Sequence, residues 1–192
     1  DYPATPEAMQ AVKSAEMIYI DQGRVDAYAA WAKTLKFVEV KDVELDHATF
    51  QSAQTPYIEN NMKLAESRLK EYLKAFAKGI HATQANFYLG QIYYAADNKK
   101  QAIKYYKEVA DMPNNEFSEP ALARLSESYL SDKNYKEAIT YLQKLEEVAT
   151  HEENLIFAKT NSMKSYYELE DYSMAVAYAT EVLLISGIND RV

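Results

Sequence analysis

The stretch YLSDKNYKEAITYLQ, residues 129–143, places the polar break SDKN between two segments with the character of helices. Ala138 stands a few residues after the break. A small residue is expected where two antiparallel helices cross closely, because a larger side chain would overpack the contact. The stretch therefore predicts a helical hairpin with a short connection.

The same arrangement occurs five times along the chain. Alanines stand at residues 27, 65, 102, 138 and 175, with spacings of 38, 37, 36 and 37 residues. Twelve positions before the alanine, four of the five segments have a small residue. A nearly fixed period of this length is typical of proteins built from stacked supersecondary units.

The composition favours helices over sheets. Only four Gly and five Pro occur in 192 residues, and 48% of the residues are hydrophobic, so a sizeable core is possible without many hairpin turns. We therefore expect an all-α protein, with one repeat array over residues 1–192 that forms part of a longer protein. The expected hairpins span residues 6–36, 46–77, 81–111, 118–149 and 152–186.

Two segments interrupt this regular pattern. Pro56 lies inside an expected helix, which predicts a kink or a break near residues 52–56 because proline removes a helical hydrogen bond. Residues 37–43 alternate apolar and polar side chains but have no partner strand, which favours an extended linker.

The repeated segments resemble the tetratricopeptide repeat, a helix–turn–helix unit of about 34 residues. The matching residues of the third and fourth segments are Leu89, Gly90, Tyr93, Ala102 and Tyr106, and Leu125, Tyr129, Ala138, Leu142 and Leu145. The period is about two to four residues longer here. Asn86 and Leu122 replace an aromatic residue of the family pattern. The resemblance implies an α-solenoid, a right-handed superhelix of hairpins that binds proteins or peptides.

In this family the first helices of successive units line a concave groove, so the resemblance also implies a partner-binding surface. The candidate residues are Tyr19, Phe50, Gln54, Tyr57, Phe87, Gln91, Tyr94, Glu127, Lys164 and Tyr167. Tyrosine suits such a surface because its ring offers apolar area while its hydroxyl bonds to water or to a partner. The alternative is that these tyrosines only pack between repeats.

The sequence contains no arrangement that indicates catalysis. Cysteine is absent, and so are the glycine-rich phosphate-binding, H-E-x-x-H and G-x-S-x-G motifs. His47 and His81 are interpreted as local polar residues at helix starts. We expect no enzymatic activity and no catalytic, cofactor-binding or metal-binding residues.

The charge and hydropathy also bound the partners. A net charge of −8 argues against a protein that tracks nucleic-acid phosphates. Direct membrane insertion is not expected, since no apolar run approaches about 18 residues. A protein or a peptide is the expected partner.

Both ends of the chain indicate a larger assembly. Residues 174–185, MAVAYATEVLLI, are apolar on nearly every side, whereas a terminal repeat should carry a polar outer face. Residues 172–186 are therefore expected to contact further repeats or a second copy of the chain. The junction from Tyr2 to Ala8 resembles those of Gram-negative envelope proteins of the Tol–Pal coordinator and BamD-like types, which implies a periplasmic or outer-membrane-associated location.

Three functions follow from these patterns. The favoured one is a non-enzymatic scaffold that binds a peptide or a protein surface in the concave groove. A structural spacer or self-association module would instead use the apolar last helix. A sensory or substrate-binding domain of a larger protein is the third.

Overall fold

The computed structural model describes residues 5–185, which form ten α-helices and no β-strand. The helices are α1 (Pro6–Asp21), α2 (Val25–Ala32), α3 (Asp42–Ile58), α4 (Met62–Ala75), α5 (Ala82–Ala95), α6 (Lys99–Ala110), α7 (Ser118–Ser131), α8 (Tyr135–Val148), α9 (Glu152–Glu168) and α10 (Tyr172–Ile185). Successive helices pair into five hairpins, which confirms the expected all-α array of helical hairpins.

The chain divides into two compact units, and the boundary between Ile92 and Tyr93 falls inside α5. Within residues 5–185, no helix combines the length and the apolar character needed to cross a bilayer. Tyr2 and Pro3 of the proposed envelope-type junction, and residue 186 of the last expected helix, lie outside the described residues.

One turn geometry joins the two helices of every hairpin. Its central residue has a positive φ of 55–67°, and the five central residues are Gly23, Asn60, Asp97, Lys133 and Glu170. In each turn the following backbone N–H donates to the carbonyl five residues earlier, as Asn134 does to Tyr129 at 2.9 Å. The central N–H donates to the carbonyl three residues earlier, as Lys133 does to Leu130 at 3.0 Å. These two bonds form the Schellman motif that ends a helix.

The residue after the turn centre also starts the second helix. Side-chain oxygens of Asn61, Asn98, Asn134 and Asp171 accept a hydrogen bond from the backbone N–H three residues later, at 3.2–3.5 Å. Arg24 of the first hairpin makes no such bond. Because the residue that completes one helix end also caps the next helix, the turn fixes the register between the two helices.

The turns recur at spacings of 37, 37, 36 and 37 residues and correct the register of the first hairpin. The position five residues after the turn centre is buried in every hairpin and is an alanine in the last four. In the first hairpin this position belongs to Tyr28, whereas Ala27 is only partly buried. The register predicted from the sequence is therefore wrong by one residue in the first hairpin. The pattern of alanines pointed to Ala27, whereas its neighbour Tyr28 occupies the buried position.

A stacked aromatic pair links the two helices in four of the five hairpins. Its members lie nine residues before and three residues after the buried position just described. The pairs are Tyr19–Trp31, Tyr93–Tyr105, Tyr129–Tyr141 and Tyr166–Tyr178, with ring centroids 5.5–6.3 Å apart. Such pairs stabilise a fold by about 0.5–1.5 kcal/mol beyond the area that they bury.

The second hairpin has Pro56 and Arg68 at the positions of this pair. Pro56 has no N–H, so the carbonyl of Ser52 receives no helical hydrogen bond from it. Arg68 Nη1 donates instead to that carbonyl at 3.3 Å and to Ser52 Oγ at 2.6 Å. The break predicted near residues 52–56 is absent, because Pro56 lies in the last turn of α3 and Arg68 satisfies the carbonyl.

The segment between the first two hairpins also differs from the sequence expectation. The second helix ends at Ala32, four residues earlier than expected, and α3 begins at Asp42, four residues earlier. Residues 37–41 form no helix or strand, as expected for a linker, but residues 42 and 43 of the expected linker belong to α3.

Lys133→Gly is expected to stabilise the protein by about 0.5–1 kcal/mol, because glycine adopts a positive φ without the strain caused by a Cβ atom. Urea denaturation measures the change. Lys104→Gly, at an exposed position inside α6, is the matched control and should destabilise by about 0.5–1 kcal/mol. A Lys133→Gly variant less stable than the parent would contradict the role given to the turn.

Pro56→Tyr and Arg68→Tyr are each expected to destabilise the second hairpin, the first by overpacking and the second by leaving the Ser52 carbonyl unbonded at a cost of about 1–3 kcal/mol. The double variant restores the stacked pair found in the other hairpins. It should therefore be more stable than the sum of the single effects by about 1 kcal/mol in a double-mutant cycle. Additive effects would rule out the equivalence of the two pairs.

Candidate partner-binding site

In the unit that ends at Ile92, aromatic rings form a continuous row that we name the α3–α5 face. Phe50 stacks on His81 with 4.4 Å between ring centroids and 12° between ring planes. The Phe50 ring also lies 6.3 Å from the Tyr88 ring, which stacks on Tyr57 at 4.1 Å. The α3–α5 face comprises Phe50, Gln54, Tyr57, His81, Gln84 and Tyr88.

Helical periodicity explains why these residues meet. Phe50, Gln54 and Tyr57 follow the spacing i, i+4, i+7 along α3, which places them on one side of the helix. Gln84 and Tyr88 lie four residues apart on α5, and His81 directly precedes that helix. The two stripes face each other because α3 and α5 are the first helices of neighbouring hairpins.

Two amides meet the hydroxyl group of Tyr88. Gln54 Nε2 and Gln84 Nε2 donate to Tyr88 Oη at 3.2 Å and 2.8 Å. A phenol oxygen that accepts twice keeps its own hydrogen for donation. The hydroxyl hydrogen of Tyr88 and the side-chain oxygens of Gln54 and Gln84 take no part in these two bonds and are available to a partner. Burial, together with the neighbouring Tyr88, raises the pKa of Tyr57, so this ring is neutral at physiological pH.

A histidine pair ends the row. His47 Nδ1 and His81 Nε2 lie 2.9 Å apart, a distance at which one nitrogen must donate and the other accept. Burial lowers the pKa of His81; Asp46 opposes this effect and His47 adds to it. Within residues 5–185, no group of three His, Asp or Glu side chains is arranged to hold a metal ion.

A buried acid holds the segment that precedes α5 in place beside the α3–α5 face. Asp46 accepts hydrogen bonds from Tyr72 Oη at 2.6 Å and from the Ile80 backbone N–H at 2.9 Å. The same Tyr72 oxygen accepts the backbone N–H of His81 at 3.1 Å. Burial and the bond to Asp46 raise the pKa of Tyr72. This network fixes the segment that carries His81 onto the α3–α5 face.

Glu119 has the same role in the second unit. Like Asp46, it lies nineteen residues before the buried alanine of its hairpin. It accepts the backbone N–H groups of Thr150 and His151, both at 3.1 Å, and the side chains of Thr150 and Asn154 at 2.7 and 2.8 Å. Burial opposes its charge, but these hydrogen bonds lower the pKa of Glu119 far below its ordinary value.

Tyr94 and Glu127 also come together, in the second unit. The Tyr94 hydroxyl donates to Glu127 Oε2 at 3.0 Å, and the Arg124 guanidinium lies 4.7 Å from the centre of the Tyr94 ring. Arg124 Nη1 donates to the same Glu127 oxygen at 2.7 Å. Burial and Glu127 raise the pKa of Tyr94.

Of the remaining predicted residues, Phe87 borders the α3–α5 face, since its ring centroid lies 6.4 Å from that of Tyr88. Tyr19 packs against Tyr28 and Trp31 within the first hairpin. In the corrected register it lies nine residues before the buried position instead of eight, so it is not equivalent to Tyr57 and Tyr94. Phe87 and Gln91 are half-buried on α5. Lys164 and Tyr167 line an apolar depression between α9 and α10, the α9–α10 groove. Its lining residues are Met163, Lys164, Tyr167, Glu168, Tyr172, Ala175, Val176 and Ala179.

Sequence reasoning missed Tyr88 and Arg124, although a signal was present. Both lie fourteen residues before the buried alanine of their hairpins. The Tyr88 ring stacks on Tyr57, and the Arg124 guanidinium lies over the Tyr94 ring. Tyr57 and Tyr94 each lie eight residues before the alanine of the preceding hairpin. The position fourteen residues before the alanine thus belongs to the same surface.

Two segments of the chain match family models described as tetratricopeptide repeat, over residues 84–114 and 119–150. These segments correspond to the third and fourth hairpins. The matches support the tetratricopeptide-repeat family. No curated protein matches the chain.

Several solved structures have a similar fold. MamA (41-end) from Desulfovibrio magneticus RS-1 has 14% identity and a TM-score of 0.51 over 94% of this chain and 96% of that chain. BtubC from P. vanneervenii has 13% identity and a TM-score of 0.56, over 95% of this chain and 81% of that chain. YrrB, described as a TPR protein with an unusual peptide-binding site, has 16% identity and a TM-score of 0.52, over 88% of this chain and 82% of that chain.

At these identities the likeness concerns the fold alone, and it agrees with the array of helical hairpins. The matches lend no support to the resemblance with Tol–Pal coordinator and BamD-like envelope proteins, nor to an envelope location.

His81→Gln is expected to weaken the loss of stability on acidification. The pKa of His81 is lower in the folded chain than its ordinary value of 6.5, so the unfolded chain binds a proton first as the pH falls. The parent therefore loses stability below about pH 6.5, with a slope of at most about 1.4 kcal/mol per pH unit for one proton.

Urea denaturation from about pH 7.5 to about pH 5 at constant ionic strength measures this slope. The difference between parent and variant isolates His81 from the carboxylates that titrate in both. An unchanged pH dependence in His81→Gln would show that His81 does not titrate differently on folding.

Proposed function

We propose that this chain is a non-enzymatic protein–protein interaction scaffold, and that its α3–α5 face binds an extended peptide segment of a partner. The observation that carries the proposal is Tyr88, whose ring continues an aromatic row while its hydroxyl is held by two amides. The tetratricopeptide matches agree with a scaffold, and YrrB supplies a structural neighbour that is described as having a peptide-binding site.

The chemistry of the α3–α5 face fits a peptide backbone. The half-buried rings of Tyr57, His81 and Tyr88 offer apolar area to side chains, whereas Phe50 is 2% exposed and packs beneath them. The Tyr88 hydroxyl hydrogen is a donor for a peptide carbonyl. The oxygens of Gln54 and Gln84 are acceptors for peptide N–H groups. An extended segment presents both kinds of group along its edge, which suits a surface with one donor between two acceptors.

The α3–α5 face is also fixed before a partner arrives. Tyr88 is held by stacking on Tyr57 and by two hydrogen bonds, and His81 is anchored through Tyr72 and Asp46. Side chains that are ordered in advance lose little conformational entropy on binding, so more of the contact energy contributes to affinity.

Selection from a display library of random peptides about ten residues long, roughly 33 Å when extended, tests this proposal on the full chain. Fluorescence anisotropy then gives the Kd of a selected, labelled peptide. Tyr88→Phe removes only the hydroxyl, and Tyr57→Ala removes the stacked ring. Each variant is expected to bind about tenfold more weakly, equivalent to about 1.4 kcal/mol.

Tyr172→Ala, which removes an exposed tyrosine in the other unit, is the matched control and should bind like the parent. Circular dichroism establishes that each variant keeps its helices. Selected peptides that bind Tyr88→Phe and Tyr57→Ala as tightly as the parent would place the binding surface elsewhere and overturn the proposal.

A second candidate function is self-association through the last hairpin. Val176 is 66% exposed and Leu184 is 67% exposed, so α10 presents large apolar side chains to solvent. Contiguous apolar surface of this kind is typical of an interaction site.

A further inference from the structure

A depression lies between α1 and α3, on the other side of α3 from α5. It has a volume of about 630 Å³, and we name it the α1–α3 depression; its walls include Met17, Ile20, Ala48, Gln51, Ser52 and Thr55. We propose that the depression receives a large apolar side chain of the same extended peptide that binds the α3–α5 face. The inference rests on the function proposed above and adds a second contact to that peptide.

The repeat relates the walls of the depression to the junction between α3 and α5. The positions eleven and eight residues before the buried position are Met17 and Ile20 in α1, and Gln54 and Tyr57 in α3. The positions 17, 14, 13 and 10 residues before it are Ala48, Gln51, Ser52 and Thr55 in α3, and Ala85, Tyr88, Leu89 and Ile92 in α5. Both junctions therefore bring equivalent positions of neighbouring first helices together.

Shorter side chains at three of these positions explain why the depression is open. Between α3 and α5, Leu89 and Ile92 are buried, and the Tyr88 ring stacks on Tyr57. At the positions of Leu89, Ile92 and Tyr88, α3 has Ser52, Thr55 and Gln51. One aromatic ring and two aliphatic side chains that fill the α3–α5 junction thus have no counterpart between α1 and α3.

The walls of the depression favour an apolar occupant. Met17 is 66% exposed and offers apolar area. The polar groups already have partners, because Arg68 Nη1 donates to Ser52 Oγ at 2.6 Å and Thr55 Oγ1 donates to a carbonyl of α3 at 3.0 Å. Asp21, at the edge, is paired with Arg68. An occupant therefore need not replace these bonds, and an aromatic or large aliphatic side chain gains most by leaving water.

The depression and the α3–α5 face are neighbours because they share α3. Gln51 borders the depression, and Gln54, three residues later, belongs to the α3–α5 face. Residues three apart are neighbours on a helix surface, so one ligand can contact both. Packed helices lie about 8–10 Å apart, a distance that an extended peptide spans with about three residues.

This spacing specifies the partner segment. Its anchor, an aromatic or large aliphatic residue, should lie about three residues from the residue whose carbonyl accepts the Tyr88 hydroxyl. The anchor supplies buried apolar area, whereas the α3–α5 face supplies hydrogen bonds to the peptide backbone.

A peptide selected on the full chain, as described above, is the probe. Each of its apolar residues is replaced by alanine in turn, and fluorescence anisotropy gives the Kd. Replacement of the anchor is expected to weaken binding about tenfold. In Gln51→Tyr the new ring should fill the depression as Tyr88 fills the α3–α5 junction. This variant should bind the selected peptide about tenfold more weakly, and replacement of the anchor should then have little further effect.

Gln51→Ser is the matched control, because it changes the same exposed residue without filling the depression, and it should bind like the parent. Met17→Ser removes an apolar wall and should weaken binding of the selected peptide but not of the peptide that lacks the anchor. Circular dichroism establishes that each variant keeps its helices.

The outcomes separate this inference from the proposed function. A peptide that depends on Tyr57 and Tyr88 but binds Gln51→Tyr as tightly as the parent overturns the inference and retains the function, as expected if a second copy of the chain occupies the depression. A peptide that responds to Gln51→Tyr alone overturns the link between the depression and the α3–α5 face. Independence of all three residues, or failure to select any peptide, overturns both.

Discussion

The left-handed turn residue of each hairpin is the constraint on which the rest of the structure depends. It ends one helix with two backbone hydrogen bonds, and the residue after it starts the next helix. The two helices can then meet in one register only. Because the turn recurs at nearly constant spacing, equivalent side chains return to equivalent places, and the stacked pairs of four hairpins follow from that repetition.

Local signals made most of the hairpins predictable. The break around Lys133 and the small residue Ala138 are both encoded within a few residues, so the bounds of α7 and α8 could be predicted closely from the sequence. The first hairpin was less predictable because Tyr28 fills the place of a small residue. The break predicted at Pro56 is absent because the guanidinium of Arg68 bonds to the free carbonyl. Arg68 lies on another helix, so the residues around Pro56 gave no sign of this compensation.

The candidate site was only half visible in the sequence. Positions relative to the alanine identified Phe50, Gln54 and Tyr57, because these share one side of one helix. Tyr88 was missed since its role depends on the offset between neighbouring hairpins, a property of packing between them. Arg124 occupies the equivalent position with different chemistry, so residue type gives no hint that the two positions correspond.

The buried acids make the five repeats unequal. Asp46 and Glu119 each tie their own hairpin to the loop that leads into the next one, whereas Met9, Thr83 and Ile156 occupy the corresponding positions of the other hairpins. The backbone N–H groups of Ile80, Thr150 and His151 lie outside the helices, yet these carboxylates accept them. In hydrogen exchange these loop amides should therefore be protected together with the neighbouring helices, unlike those of the junctions that lack a buried acid.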